Sequence, residues 1–281
     1  MSASARLGFA IVILFVVVAS LAPRIAPFDP AAPALGESLR TPSLHHLLGQ
    51  DRLGRDILSR VLYGARVSLV VSLSAVGLSL AFGTALGLFS GISGGWIDEV
   101  VMRVVDVLLA FPGILLAIAL AAVLGPSLAN VILALSVIGW TSYARLVRAE
   151  TLSIRSRPHV EAARALGAGP PRIVLRHVLP LLAGPLAVQA TFGFAGAIVA
   201  EASLSFLGLG TQPPTPSWGS MLSEGRTFLL VAPHLALFPG LVIFVTVLGI
   251  NFLGDGLRDW LDVTAGSPGN RSSTDLRAPG A

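Results

Sequence analysis

Between Leu7 and Pro23 the chain reads LGFAIVILFVVVASLAP, without one charged side chain. A helix needs about 20 such residues to cross a hydrocarbon core of about 30 Å. Five further apolar runs of similar length follow, near 67–90, 100–124, 127–147, 181–206 and 234–254. Only 12% of the 281 residues are charged, against about a quarter in soluble domains. Lipid offers backbone groups no partners, so a spanning chain forms helices or a closed barrel. Continuous runs, rather than alternating ten-residue strands, select helices. The sequence therefore predicts an all-α integral membrane protein of about six transmembrane helices. Arg6 before the first run and small residues at its end resemble a signal peptide; Pro23 and the run's length favour an uncleaved span.

All nineteen basic residues are arginine, and there is no cysteine. Disulfides, thiolate metal sites and a cysteine nucleophile are thereby excluded. The arginines are scattered over loops, so the isoelectric point near 10.8 reads as a topology signal, and no nucleic-acid partner is expected. Arg148, Arg155, Arg157, Arg164, Arg172 and Arg176 lie after the fourth run, opposed only by Glu150 and Glu161. That loop is expected to be cytoplasmic, and with six spans both termini join it. The first loop, 24–66, conflicts with this count because it also carries six arginines. The expected division is an N-terminal anchor and extracytoplasmic loop over 1–66, a membrane core over 67–260 with a loop at 148–180, and a disordered cytoplasmic tail over 261–281.

Gly83, Gly87, Gly91 and Gly95 recur every fourth residue. On a helix they form one strip, which permits close approach of a neighbouring helix; Gly94 and Gly95 can instead belong to a following turn. The polar stretch EAARALGAGPPRIVLRHVLP, Glu161–Pro180, interrupts the apolar runs. Pro158 suits an early helical position, and Glu161 then meets the positive end of the helix dipole. Gly167 and Gly169 supply a stop, and Pro170 or Pro171 opens a second short helix. Arg157 and Arg164 stand within pairing distance of Glu161 along such a helix. Ala162 and Ala163 project almost nothing. A smooth, rigid helix of this kind suits either docking in a groove of another protein or a plain interfacial connection.

Glu161, Ala162 and Ala163, then Gly167 after three residues and Leu179-Pro180 further on, resemble the EAA signature of membrane subunits of binding-protein-dependent ABC importers. LGQDRLGRDILSRVLYGARVSL (Leu48–Leu69) and EASLSFLGLGTQPPTPSWGSML (Glu201–Leu222) resemble the dipeptide, oligopeptide and nickel branch. His177 replaces the isoleucine the general signature favours, and Leu181 stands where the branch often has asparagine. The resemblance implies an ABC importer permease fold in the inner (cytoplasmic) membrane, with Glu161, Ala162, Ala163 and Gly167 in a cytoplasmic coupling helix seated on an ATPase subunit. It also implies a second permease subunit and an extracytoplasmic solute-binding protein. The solute would be a peptide or similar small molecule, and the mechanism alternating access.

No phosphate-binding G-x-x-x-x-G-K-[ST] loop is present, nor is one available without lysine. ATP is therefore expected on the partner ATPase, with no cofactor or metal bound by this chain and membrane lipid around it. Asp106 and Glu201 are the intramembrane acids, and each is a candidate for the translocation path or gate because a buried charge in lipid is costly. An intrahelical ion pair to Arg103 explains Asp106 more cheaply, while Glu201 can equally hold the loop that follows it. An alternative reading is a proton-coupled secondary transporter using Glu201 or Asp106. His45 and His46 are a weak metal signal without further ligands. TQPPTPSWG (211–219) reads as a stiff outer loop with Trp218 at the membrane interface. QDRLGRD (50–56) reads as a local network of exposed ion pairs, each contributing about 0–1 kcal/mol.

Overall fold

The computed structural model describes residues 3–265. The first apolar run forms α1 (Ala3–Ile25) and the second α2 (Ile57–Ser93). Asp56 caps α2 by accepting the backbone N–H of Ser59 at 2.7 Å, which satisfies one of the free donors of the first turn. The cap starts α2 ten residues ahead of the apolar run, so the boundary expected at 66 falls inside a helix.

The run at 100–124 does not form a straight span. It lies on α3 (Gly95–Leu109) and α4 (Gly113–Leu124), which meet at 87°. Pro112 is the cause. It disfavours helical backbone at Phe111 and brings no N–H to the ladder, so the chain breaks there and restarts. The following helices are α5 (Leu128–Arg155), α6 (Pro158–Ala165), α7 (Pro170–Ile173) and α8 (Leu179–Phe206), with a π-helical turn at Val174–Val178 ahead of α8. Then come α9 (Trp218–Gly225) and α10 (His234–Ala265). Residues 261–265, expected in the tail, are helical; the rest of that tail lies outside the described residues.

The glycine strip explains how the bundle closes. A Cβ on Gly83 would lie 2.5 Å from the Trp140 carbonyl oxygen, and one on Gly87 2.6 Å from that of Ala144. Gly91 faces Thr151, and in the reverse sense Gly139 of α5 faces Ser79. Gly94 and Gly95 have left the strip for the α2–α3 turn, with φ of 63° and 57°. The paired residues ascend together, so α2 and α5 are parallel. The chain must then recross the bundle between them, and α3 with α4 is that crossing. Ala117 and Ala121 of α4 accordingly pack with Val131 and Ala134 of α5 and with Val67 and Val71 near the start of α2. With the bent pair taken as one span, the described residues make six crossings.

α1 runs antiparallel to α10: Gly8 approaches the Gly249 carbonyl and Ala5 meets Gly256. The first apolar run is thus an integral part of the bundle. The start of α1, the ends of α2, α5 and α10, and the segment 156–178 therefore share one face. Residues 26–56 and 207–233 form a cap over the opposite face.

A side chain at Gly87 must push two backbones apart. Gly87→Leu is expected to lower the midpoint of thermal unfolding in detergent by roughly 2–12 °C, from about 1–3 kcal/mol of overpacking. Gly77→Ala, with open space beside it, is the control and should not lower it.

Candidate functional site

α6 is short and polar, yet it is firmly placed. Arg157 precedes it in extended conformation and Pro158 opens it, where a missing N–H costs nothing. Val160 is fully buried among Val147, Ile154, Ile173, Val178 and Leu182, which belong to α5, α7, the π-helical turn and α8. Gly167 ends the helix at φ 87°, in the left-handed region that glycine enters without strain. Its N–H donates to the Arg164 carbonyl and that of Ala168 to Ala163, both at 3.0 Å. The side turned away from Val160 presents His159, Ala162 and Leu166, and Leu166 is 90% exposed.

The local ion pairs expected of Glu161 are not formed: no Arg157 or Arg164 nitrogen lies within pairing distance of it in the structure. Instead Glu161 and Arg164 line, with Arg155 and Ile92, a cavity of about 590 Å³ between α6 and the bundle. Glu161 therefore belongs to the inner side of α6, while Ala162 belongs to the outer side.

Asp106 pairs with Arg145 of α5 at 2.7 Å, not with Arg103, which lies 3.8 Å from Glu99. The bend at Pro112 lays α3 across the end of α5, and this brings Arg145 into reach. Asp98 is bound by Arg148 and by Ser90 in the same way. Glu201 is fully buried and accepts from Ser205 at 2.7 Å and from Ser68 of α2 at 3.1 Å. Neither Asp106 nor Glu201 lines a described cavity.

The cap corrects two further expectations. The QDRLGRD pairs are buried rather than exposed: Asp51, Arg55 and Arg60 are at most 6% accessible. Asp51 binds Arg55 at 2.6 Å and also Arg60, and both arginines reach Glu224 of α9, at 2.8 and 2.9 Å. Trp218, expected at the membrane interface, is completely buried; its indole N–H donates to the Val61 carbonyl at 2.9 Å, over the space left by Gly64. His46 is held by Asp56 at 2.9 Å and stacks on Phe28. Gln50 donates to Glu37 and, ahead of the charge of Arg40, holds its carboxyl below the usual range.

A groove runs along the bundle that sequence reasoning did not locate. One part, about 250 Å³, lies between α2, α4, α5 and α8; the next, about 450 Å³, lies between α4, α8 and α10. Ile114, Gly196 and Ala200 line both. The polar side chains on it are neutral: Ser79, Ser142, Tyr143, Gln189, Ser203 and Asn251. The one signal for it in the sequence is the spacing of Gln189, Gly193, Gly196, Ala200 and Ser203, a small and neutral face on a helix of mean polarity too low to need one.

A six-crossing bundle with a neutral groove at its side and a pinned, outward-facing helix at one end defines a multi-pass membrane transport subunit. Comparison with known proteins makes this specific. The chain belongs to the family of binding-protein-dependent transport system inner membrane components, whose model matches residues 83–264. It is 52% identical over 252 residues to the glutathione transport system permease protein GsiD of Escherichia coli O6:K15:H31, covering 89% of this chain and 83% of the relative. It is 46% identical over 258 residues to the dipeptide transport system permease protein DppC of Alkalihalophilus pseudofirmus, covering 92% and 85%. The fold matches a chain of the inward-facing MetNI methionine ABC transporter with a TM-score of 0.61 at 20% identity, over 72% of this chain and 97% of that one. The chain is thus an ABC importer permease subunit, a transport component rather than an enzyme, and the proton-coupled alternative has no support.

Without Arg60, Asp51 and Glu224 share the single cation Arg55, and breaking a buried charge network in this way costs about 3–5 kcal/mol. Arg60→Met should therefore destabilise the protein by about that amount in chemical unfolding of the detergent-solubilised protein. Arg40→Met removes only an exposed pair to Glu37 and should cost about 1 kcal/mol or less.

Proposed function

We propose that this chain pairs with a second permease to form a translocation path for peptides or similar small solutes, and that a separate ATPase drives it through α6. The observation that carries this reading is the placement of α6, with Val160 locked into the ends of α5 and α8 and Ala162 and Leu166 displayed outward. A push on the outer side of α6 moves two spanning helices together, because the buried contact leaves α6 no independent path. Ala162 and Leu166 form the docking side with the half-buried Ala163 at its edge, Gly167 is the turn that fixes its length, and Glu161 lines the cavity with Arg155. The arginine-rich 156–178 face is cytoplasmic, so both termini are cytoplasmic and the cap meets an extracytoplasmic solute-binding protein.

ATP binds the partner, as this chain lacks a phosphate loop. The solute class follows the named cargo of the relatives, glutathione and dipeptides. The path is the neutral groove between α4, α5, α8 and α10, completed by the second permease. Asp106 and Glu201 stand outside it as structural groups, tying α3 to α5 and α8 to α2.

The chain has no cysteine, so Ala162→Cys supplies a single thiol for cross-linking to ATPase subunits carrying a cysteine in their docking groove. A cross-link whose yield changes with ATP is the expected result. Failure with every co-expressed ATPase, together with labelling of the thiol from outside the cell, overturns both the orientation and the coupling role. Leu166→Asp places a charge on the docking side and should weaken ATPase binding about thirtyfold, the ~2 kcal/mol of an interface hot spot. Binding within threefold of wild type in a pull-down titration would remove Leu166 from the interface.

A further inference from the structure

We propose that the narrow end of the groove holds a contact site for an uncharged hydrogen-bonding group of the solute, of the peptide-amide class, made by Gln189, Ser142 and the Tyr143 hydroxyl. This rests on the reading of the groove as the path. The site has three physical marks.

The first is an unmet hydrogen bond. Tyr143 is 3% accessible, and its hydroxyl has no partner. A buried hydroxyl in that state is uncommon and unfavourable, and it calls for a ligand or a second conformation that satisfies it. The second is a space kept for it. Gly193 of α8 lies against the hydroxyl, and a Cβ there would collide with it. The third is the lining. Gln189 stands one turn before Gly193, and with Ser142 and Ser79 it shares the 250 Å³ cavity with Tyr143. Tyr143 is the only titratable group among the lining residues of either part of the groove.

Gln189 offers both a donor and an acceptor, and hydroxyls offer both as well. That set matches an amide, which carries one N–H and one C=O. It matches a free carboxylate or ammonium poorly, since no opposite charge is present to replace lost hydration. The hydroxyl is sealed against Gly193 here, so a small separation of α5 and α8 exposes it to the cavity. The helices whose ends are pinned by Val160 are α5 and α8, so the movement that drives transport is the one that completes the site. In one state the hydroxyl is unpaired; in the other a passing amide pairs with it.

The test uses the complete transporter, with both permeases, ATPases and binding protein, in vesicles. With cysteine-free partners, Gln189→Cys gives one thiol, and its rate of modification by a neutral thiol reagent is followed during ATP turnover. Loaded binding protein carrying alanyl-alanine is expected to slow modification about threefold or more; an unchanged rate overturns the site. In parallel, Tyr143→Phe removes one oxygen and preserves the ring. Uptake of alanyl-alanine should fall about threefold to tenfold, the worth of one hydrogen bond, with a smaller fall for its N-methylated amide. An equal fall for both peptides assigns the hydroxyl to packing, and no fall leaves it without a role; either overturns the proposal. If wild type transports neither alanyl-alanine nor glutathione while Ala162→Cys still cross-links to the ATPase, the solute class fails rather than the coupling role.

Discussion

The close parallel contact of α2 and α5 is the constraint on which the rest of the architecture depends. In lipid, apolar side chains gain nothing by leaving their surroundings, so helices associate through close packing and hydrogen bonds. Gly83, Gly87, Gly91 and Gly139 bring backbone against backbone along one seam. Parallel neighbours in one chain need a return crossing between them, and the 95–124 segment has to supply it. The bend at Pro112 lets that segment do two things. α3 lies across the ends of α2 and α5, where Asp98 and Asp106 find Arg148 and Arg145. α4 then descends along α5 and forms one wall of the groove.

The same seam anchors α6. α5 is held along its length by α2 and ends at Arg155, only three residues before α6 begins. Val160 and Val178 meet in one buried cluster, so the entry to α8 shares the same anchor. The π-helical turn at Val174–Val178 inserts an extra residue ahead of α8, a feature often found at functional sites. Here it lies directly between α6 and the span that forms a groove wall. Under the proposed coupling role, motion delivered at α6 would reach the α5–α8 contact first.

Much of this was legible in the sequence, and for physical reasons. Apolar runs of membrane length are nearly unambiguous, because lipid leaves backbone groups no other solution. The Pro158–Gly167 helix was legible from its end signals alone, and the four-residue glycine period announced a helix contact. What the sequence did not reveal was tertiary in origin. Asp106 sits three residues from Arg103, the nearer partner on paper, but the bend turns it toward Arg145. The QDRLGRD stretch looked like exposed surface because nothing local marks Glu224, 164 residues beyond Arg60, as its fourth member. Trp218 has an amphipathic ring suited to an interface, and only the fold shows that Gly64 and Val61 receive it. Glu201 had no arginine nearby because it uses serine hydroxyls instead, from its own helix and from α2.

The charges of the bundle fall into two layers, and this distribution bears on selectivity. Asp51, Arg55, Arg60 and Glu224 lock the cap, and the Asp98–Arg148 and Asp106–Arg145 pairs lock the opposite end. Among the described residues only Glu201 is acidic between the layers, and it faces Ser68 and Ser205, away from the groove. A charge in the path would bind one solute terminus strongly and repel the other, and it would retain its ligand instead of releasing it. A neutral lining of small residues with a few amide and hydroxyl groups grips nothing firmly and tolerates varied side chains. On the proposed reading of the groove as the path, discrimination among solutes would be made before the groove is reached. With the groove as the proposed path, that task falls to the component that delivers the solute, which fits relatives at 46% and 52% identity carrying different named cargo on one scaffold.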